Sequence, residues 1–314
     1  MGSKTNQILC MTVMAALLIV ASGFAQAPAC PANSSDFVIG KENGTITYTP
    51  SSSLPVTKVA VASNFFCPAV RMVYNYLQSN INNVKVTVHH DSTGTLINQI
   101  TNDPGHDIYD NLFTADSIPG SFLTAIGKTQ GDTILYAKGI PSHFGYKTGY
   151  ALVGIDSVLD LIDNLAVSAN NPPDNFVVTE NGGYLEAKGY TVNHKAENVA
   201  IAVTPAAPYG TAAAAIFSEF ATAPAISGPW NNIATTYDKV GTAGIPSGVV
   251  SKAQICADIA SGRVSHVDFT GYTLGQEAIQ LTANGEDLID WIFTQMSNGG
   301  WNTFLTQHCY GTVP

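Results

Sequence analysis

The chain has 314 residues, of which 45% are hydrophobic and 11% charged, so it is not a disordered polypeptide and has enough apolar material for a large core and two domains. The formal net charge of -10, with only 13 Lys and Arg residues, argues against a nucleic-acid or anionic-membrane binder. With so few cations, any anion recognised here is held mainly by neutral dipoles.

Residues 1–27 contain one Lys, an apolar run from Met11 to Val20 and small residues from Ala21 to Ala27, the pattern of a secretory signal peptide. Cleavage fits after Ala25 or after Ala27, and the apolar run is shorter than the ~20 residues of a membrane span, which makes a retained anchor the lesser alternative. A periplasmic or otherwise exported location is expected. Cys10 falls within the signal, leaving Cys30, Cys67, Cys256 and Cys309. An even number of cysteines in an exported chain implies two disulfides. Of the three connectivities, Cys30 with Cys67 and Cys256 with Cys309 would each staple one end of the chain to its body. A four-cysteine metal site fits less well, because no spacing is of the short kind that zinc sites use.

Residues 28–56, rich in Ser, Pro, Asn and Thr, read as an N-terminal extension with room for one hairpin between Phe37–Ile39 and Ile46–Tyr48. The apolar run Val59 to Ala62 predicts a buried parallel strand, ending abruptly at Ser63 and Asn64. Pro68 then sits just inside an amphipathic helix over Ala69 to Leu77. A strand that turns into a helix at a Ser-Asn pair leaves backbone N–H groups and side-chain donors aimed at one point, which suits an anion. The unit repeats. Val84 to His89 predicts a second strand, followed by Asp91-Ser92-Thr93-Gly94-Thr95 at the start of a second helix, where Ser or Thr is a preferred cap. Asp110 to Asp116 predicts the next strand edge, and the alternation implies a parallel sheet covered on both faces.

Ile134 to Ala137 and Tyr150 to Ile155 are two aliphatic stretches separated by a Gly- and Pro-containing insertion, Gly139 to Gly149, where the chain is expected to cross into a second domain. Val158 to Leu165 reads as a helix and Asn170 to Asp174 as a loop. A third strand-to-helix junction runs from Asn198–Val203 through Ala207-Pro208-Tyr209-Gly210 into an Ala-rich helix, Thr211 to Phe220. A fourth runs from Gly248–Ser251 into a helix over Lys252 to Ala260, closed by Ser261-Gly262. Asp287 to Leu305 reads as C-terminal helices. These segments give a first domain from 57–139 and 276–314 and a second from 140–275.

The four junctions together resemble those of the periplasmic molybdate-binding proteins, the solute-binding subunits of oxyanion importers. The likeness rests on Ala62-Ser63-Asn64-Phe65 after the first strand, on Ser92-Thr93 with Gln99-Ile100, on Asp110 to Asp116, and on Ala200-Ile201-Ala202 followed by Ala207-Pro208-Tyr209-Gly210. It implies an α/β, two-domain type II periplasmic binding protein fold with parallel-rich sheets and a ligand cleft between the domains. It also implies a monomeric non-enzyme without cofactor that hands molybdate or tungstate to the membrane permease of an ABC transporter. Carried over residue by residue, the oxyanion ligands would be Ser63, Asn64, Ser92 and Thr93, with Tyr209 and Val250 acting mostly through main-chain N–H groups at helix starts. Some relatives add a Tyr side chain near the return crossing, where this chain has Phe269 and Tyr272. Sulfate, phosphate or a small carboxylate is the alternative ligand, and a surface protein that has lost ligand binding the alternative role.

Plainer readings compete with these. A lone Ser-Asn pair after a strand is usually a helix cap. His89-His90-Asp91 points its two imidazoles to opposite sides of a strand, which suits edge positions better than a metal site. Asp110 and Asp116 read as turn and cap residues, Trp291 and Trp301 as core anchors. A serine hydrolase built on Ser63 or Ser92 lacks the Gly-x-Ser-x-Gly elbow.

Overall fold

A computed structural model describes residues 36–80, 82–131, 133–151, 154, 177–180, 183–186, 198–218, 225–242 and 244–314. The signal segment, Cys30, the helix expected at Val158–Leu165 and the loop at Asn170–Asp174 lie outside the described residues.

The extension contributes a hairpin, β1 (Asp36–Glu42) and β2 (Thr45–Thr47), turning at Asn43 and Gly44. Both turn residues have positive φ, 50° and 80°, which Asn-Gly tolerates in a two-residue hairpin loop. The apolar run predicted as a strand is β3 (Val56–Ala62), which passes through the turn Ser63–Phe65 into helix α1 (Phe66–Ser79). Then come β4 (Val84–Asp91), α2 (Thr93–Asn102), β5 (Asn111–Phe113), α3 (Pro119–Ala125) and β6 (Thr133–Gly139). Strand β14 (Leu274–Gln280) returns to complete a first sheet, in the order β2-β1-β4-β3-β5-β14-β6.

Side-chain alternation along β3 divides the first lobe's core. Val59 and Val61 face the cluster under α1 and the C-terminal helices α7 (Glu286–Ser297) and α8 (Gly300–Gln307), whereas Ala60 faces the one containing Leu96, Ile100 and Leu123. Strand β3 runs parallel to β4 and β5, as expected of a strand buried on both faces.

The second sheet takes β7 (Pro141–Tyr146), β8 (Val177–Glu180), β9 (Gly183–Glu186), β10 (Val199–Ala202), β11 (Ile226–Trp230), β12 (Ser247–Ser251) and β13 (Val264–Asp268), in the order β11-β10-β12-β7-β13-β8-β9. Its described helices are α4 (Pro208–Ser218), α5 (Ile233–Lys239) and α6 (Cys256–Ala260). The chain passes between the sheets twice, from Gly139 to Pro141 and from Asp268 to Leu274. Both sheets are mixed rather than purely parallel, because β14 pairs antiparallel with β5 and β6, and β7 does so with β12 and β13.

Two sequence readings are corrected here. The stretch Gly139 to Gly149 is not an insertion, because it contains β7, at the centre of the second sheet. Its polar residues hid this. Ser142 donates to Asp268 Oδ1 at 2.6 Å, and His143 Nε2 lies 2.9 Å from Ser247 Oγ, so both find a polar partner inside the sheet, although His143 Nδ1 has none among the described residues. Pro141 occupies the first strand position, where no ladder N–H is lost. Likewise, the helix expected from Lys252 begins only at Cys256. A turn over Lys252–Ile255 intervenes, with Gln254 N donating to Ser251 O at 3.0 Å.

Cys256 and Cys309 form a disulfide, joining the start of α6 in the second lobe to the loop after α8 in the first. Cys67 is also disulfide-bonded, to a partner outside the described residues.

Candidate functional site

The first strand–helix junction sits where the lobes meet. Ser63 and Asn64 are buried, and α5 of the second lobe packs against their turn. Ser63 Oγ lies 3.1 Å from His90 Nδ1, and the His90 ring rests against Phe66. Asn64 Nδ2 donates to Tyr310 OH at 2.9 Å and to Gln276 Oε1 at 3.2 Å, while Tyr310 OH donates to the Asn64 carbonyl at 2.8 Å. Asn64 Oδ1 is buried without a hydrogen-bond partner among the described residues.

The second junction is anchored by α2. Ser92 is its N-cap and accepts from Thr95 N at 3.2 Å, and Thr93 Oγ1 accepts from Ala115 N at 3.0 Å. The Thr93 hydroxyl hydrogen stays available, since that bond uses the oxygen as acceptor. Gly94 N donates to Ala206 O at 2.9 Å, a direct backbone bond from the first lobe to the second. Only glycine fits there, because a Cβ on residue 94 would come within 2.8 Å of Ala206 Cα.

At the third junction Tyr209 lies in the first turn of α4, where its main-chain N–H has no intrahelical acceptor. Its side chain crosses back to the first lobe, accepting from Gln276 Nε2 at 2.9 Å. Gln276 Oε1 also accepts from Tyr136 OH at 2.9 Å, and the Ser251 hydroxyl bonds both Tyr209 and Tyr310. Asn64, Tyr136, Gln276 and Tyr310 of the first lobe thus form one buried network with Tyr209 and Ser251 of the second. Burial raises the pKa of all three tyrosines well above the ordinary phenol value, so each stays neutral and keeps a proton to donate.

Five of the six proposed ligand residues therefore sit at strand–helix junctions by the lobe interface. Val250 does not fit its assigned role. It lies inside β12, opposite Ser142 of β7, and not at a helix start. The nearest helix is the five-residue α6 beyond the Lys252–Ile255 turn. Phe269 is buried, the hydroxyl of Tyr272 has no hydrogen-bond partner among the described residues, and the tyrosine hydroxyl that reaches Asn64 is that of Tyr310. Gln276, Tyr136 and Tyr310 carried no sequence signal, since none stands at a strand–helix junction or in a recognisable motif. Asp110 and Asp116 are structural: Asp110 Oδ2 accepts from Lys58 N at 2.7 Å, and Asp116 Oδ1 accepts from Ile118 N at 3.3 Å. His89 pairs with Asp36 at 2.7 Å and stacks on Tyr109, a structural edge position.

Beside Ser63 and Asn64 a cleft of about 810 Å³ opens between the lobes. Phe66, His90 and Asp91 line its first-lobe wall, Asn232, Tyr237 and Gln254 its second-lobe wall, and no Lys or Arg lines it among the described residues. Asp91 Oδ1 accepts from Ser92 N at 2.6 Å and reaches Asn232 Nδ2 at 3.5 Å across the cleft. Ser92, Thr93 and Tyr209 are not among the described residues that line this cleft, whose own donors are hydroxyls and amides such as those of Ser63, Asn64, Asn232 and Gln254.

No protein-family model and no curated protein matches this chain. Among solved structures, it is similar to the periplasmic molybdate-binding protein of Azotobacter vinelandii, at 20% identity and a TM-score of 0.57, over 82% of this chain and 100% of that one. The substrate-binding protein of an ABC transporter from Agrobacterium tumefaciens superposes with a TM-score of 0.58 at 13% identity, over 90% and 84% of the two chains. The regulatory domain of Synechocystis PCC6803 CcmR in complex with 2-PG matches with a TM-score of 0.51 at 9% identity, over 78% and 98%. These likenesses establish the type II periplasmic binding protein fold.

Proposed function

We propose that this chain is an exported solute-binding protein that captures an oxyanion, molybdate or tungstate before others, between its lobes and delivers it to the permease of an ABC-type importer. The observation that carries this reading is the meeting of three strand–helix junctions, at Ser63-Asn64, Ser92-Thr93 and Tyr209, on one interlobe boundary. A tetrahedral dianion only accepts hydrogen bonds. Hydroxyls, amides and first-turn N–H groups supply donors of the right polarity without a formal charge. The likeness to the Azotobacter molybdate-binding protein supports the choice of anion. The ligand set in this reading is Ser63, Asn64, Thr93 and the Tyr209 N–H, with Ser92 acting as the cap that holds Thr93 in place.

The size of the cleft favours a second reading, an organic anion such as a carboxylate. A volume of about 810 Å³ lies within the range of roughly 300–1,000 Å³ typical of small-molecule sites and far exceeds one tetrahedral ion. Calorimetric titration with molybdate, tungstate, sulfate and phosphate separates the two. Heat of binding and a raised melting temperature with molybdate or tungstate are expected. Silence with all four anions would refute the oxyanion reading.

A further inference from the structure

We propose that Gln276 is a positioning residue, a buried relay that couples the setting of the Asn64 amide to closure of the two lobes. The ligand half of this proposal rests on the oxyanion reading; the closure half does not.

Gln276 is fully buried on β14, just after the second crossing between the sheets. Its amide is engaged at both ends. Oε1 accepts from Asn64 Nδ2 and Tyr136 OH within the first lobe, and Nε2 donates to Tyr209 OH of the second. Gly139, at the first crossing, makes room for this bond: a Cβ there would stand 2.0 Å from Tyr209 OH and 2.2 Å from Gln276 Nε2. Opening the lobes withdraws Tyr209 and strands a buried amide N–H, so the bond favours the closed form.

The same bond bears on the ligand. As the network stands, both hydrogens of Asn64 Nδ2 are spent on Gln276 and Tyr310, while Asn64 Oδ1 has no partner among the described residues. An anion needs the opposite orientation, with Nδ2 turned outward. The three tyrosine hydroxyls can each donate or accept, so the two amides can reverse together. Tyr209 OH then donates to Gln276 Oε1, Gln276 Nε2 donates to Asn64 Oδ1, and Asn64 Nδ2 is released to the ligand. The exchange costs one bond at Tyr310, whose single hydroxyl hydrogen cannot serve both the Asn64 carbonyl and Asn64 Oδ1, while the orphaned acceptor gains a donor from Gln276.

The Gly94 N–H tests closure, because its acceptor, Ala206 O, lies on the other lobe. Site-resolved hydrogen exchange of the full chain without added anion, comparing wild type with Gln276→Met, should show Gly94 exchanging roughly tenfold faster in the variant, with the β3 amides unchanged. Gln276→Glu should restore protection, since Asn64 Nδ2, Tyr136 OH and Tyr209 OH can all donate to a carboxylate. Its charge should still abolish molybdate binding. Gly139→Ala, which pushes on the same contact from outside the ligand set, should accelerate Gly94 as Gln276→Met does. Unchanged Gly94 exchange in Gln276→Met and Gly139→Ala, or acceleration shared equally by β3, would overturn the proposal. Failure of wild type to bind sodium molybdate would sink the oxyanion reading and leave the exchange comparison to decide the relay.

Discussion

Replacing Cys256 and Cys309 together by Ser tests how far the lobe-spanning disulfide stabilises the molecule. The two cysteines are 53 residues apart in sequence, and the bond joins α6 of the second lobe to the segment just before Tyr310 in the first. In the chain-entropy treatment a closed loop of that length removes about 14 cal/mol/K from the unfolded ensemble, or about 4 kcal/mol at room temperature. Native contacts next to the bond add to the expectation. Tyr310 holds Asn64, and Gly311 exchanges two backbone bonds with Lys138 at 2.8 and 3.2 Å, so freeing residue 309 loosens a strand edge as well as a link. Urea denaturation of wild type and double variant, fitted only where fluorescence and circular dichroism give one coincident transition, should show a loss of roughly 3–4 kcal/mol. A loss below about 1 kcal/mol, with the fold retained, would refute the reasoning, because it would mean that the unfolded chain is not restrained by the link.

Three further outcomes follow from particular contacts. His143 is fully buried and its pKa falls from 6.5 to about 3 through burial alone, so it is neutral in the fold. Below pH 6.5 the unfolded chain takes up a proton that the folded chain refuses, and stability falls as pH drops. The loss is roughly 2–3 kcal/mol between pH 6 and pH 4, and denaturation curves of His143→Gln should lose that part of the slope. Gly94→Ala should weaken anion binding at least tenfold and separate the lobes in solution scattering, because the added methyl group meets the Ala206 backbone. Wild-type affinity in that variant would show that Gly94 is not a closure contact. Thr93→Val should cost about 1–3 kcal/mol of stability by leaving Ala115 N–H buried without its acceptor, as well as reducing the thermal shift given by molybdate. Thr93→Ser should retain both, and a Val variant with an intact molybdate shift would remove Thr93 from the ligand set.

The parts of the fold that could be read from sequence are those where local pattern and tertiary role agree. Val59 to Ala62 is apolar at every position because β3 is buried on both faces, and Ser92-Thr93 reads as a helix start because it is one. Strand β7 escaped notice because Ser142 and His143 are polar residues in the middle of a sheet, each bonded to a residue, Asp268 or Ser247, more than 100 positions away in sequence. Local pattern carries no trace of such partners. The candidate site divides in the same way. Ser63, Asn64, Thr93 and Tyr209 announce themselves by standing at chain reversals. Gln276 and Tyr310 act through distant contacts, across 212 and 246 residues to Asn64, and only the folded chain reveals them. Val250 failed because a Val-Val-Ser strand end followed by Lys, Ala and Gln looks like another junction, when a turn separates that strand from a helix of only five residues.

The charge of the molecule makes a last prediction about how an anion would arrive. The net charge is -10, and Asp91 and Asp238 line the cleft, the latter with its pKa raised by burial against the opposing pull of Lys239. On the proposed oxyanion reading, a dianion approaching the lobe boundary would be repelled at long range and attracted only within hydrogen-bonding reach of the proposed neutral donors. Added salt shortens the repulsion, to a Debye length of about 10 Å at 0.1 M, while leaving short hydrogen bonds largely intact. The association rate for molybdate, measured by stopped-flow protein fluorescence, should therefore rise as sodium chloride increases from 10 to 200 mM, by roughly two- to tenfold. A site built on Lys or Arg would show the reverse. A rate that falls with salt would mean that positive charge steers the ligand, and the account of a site made from neutral donors would fail.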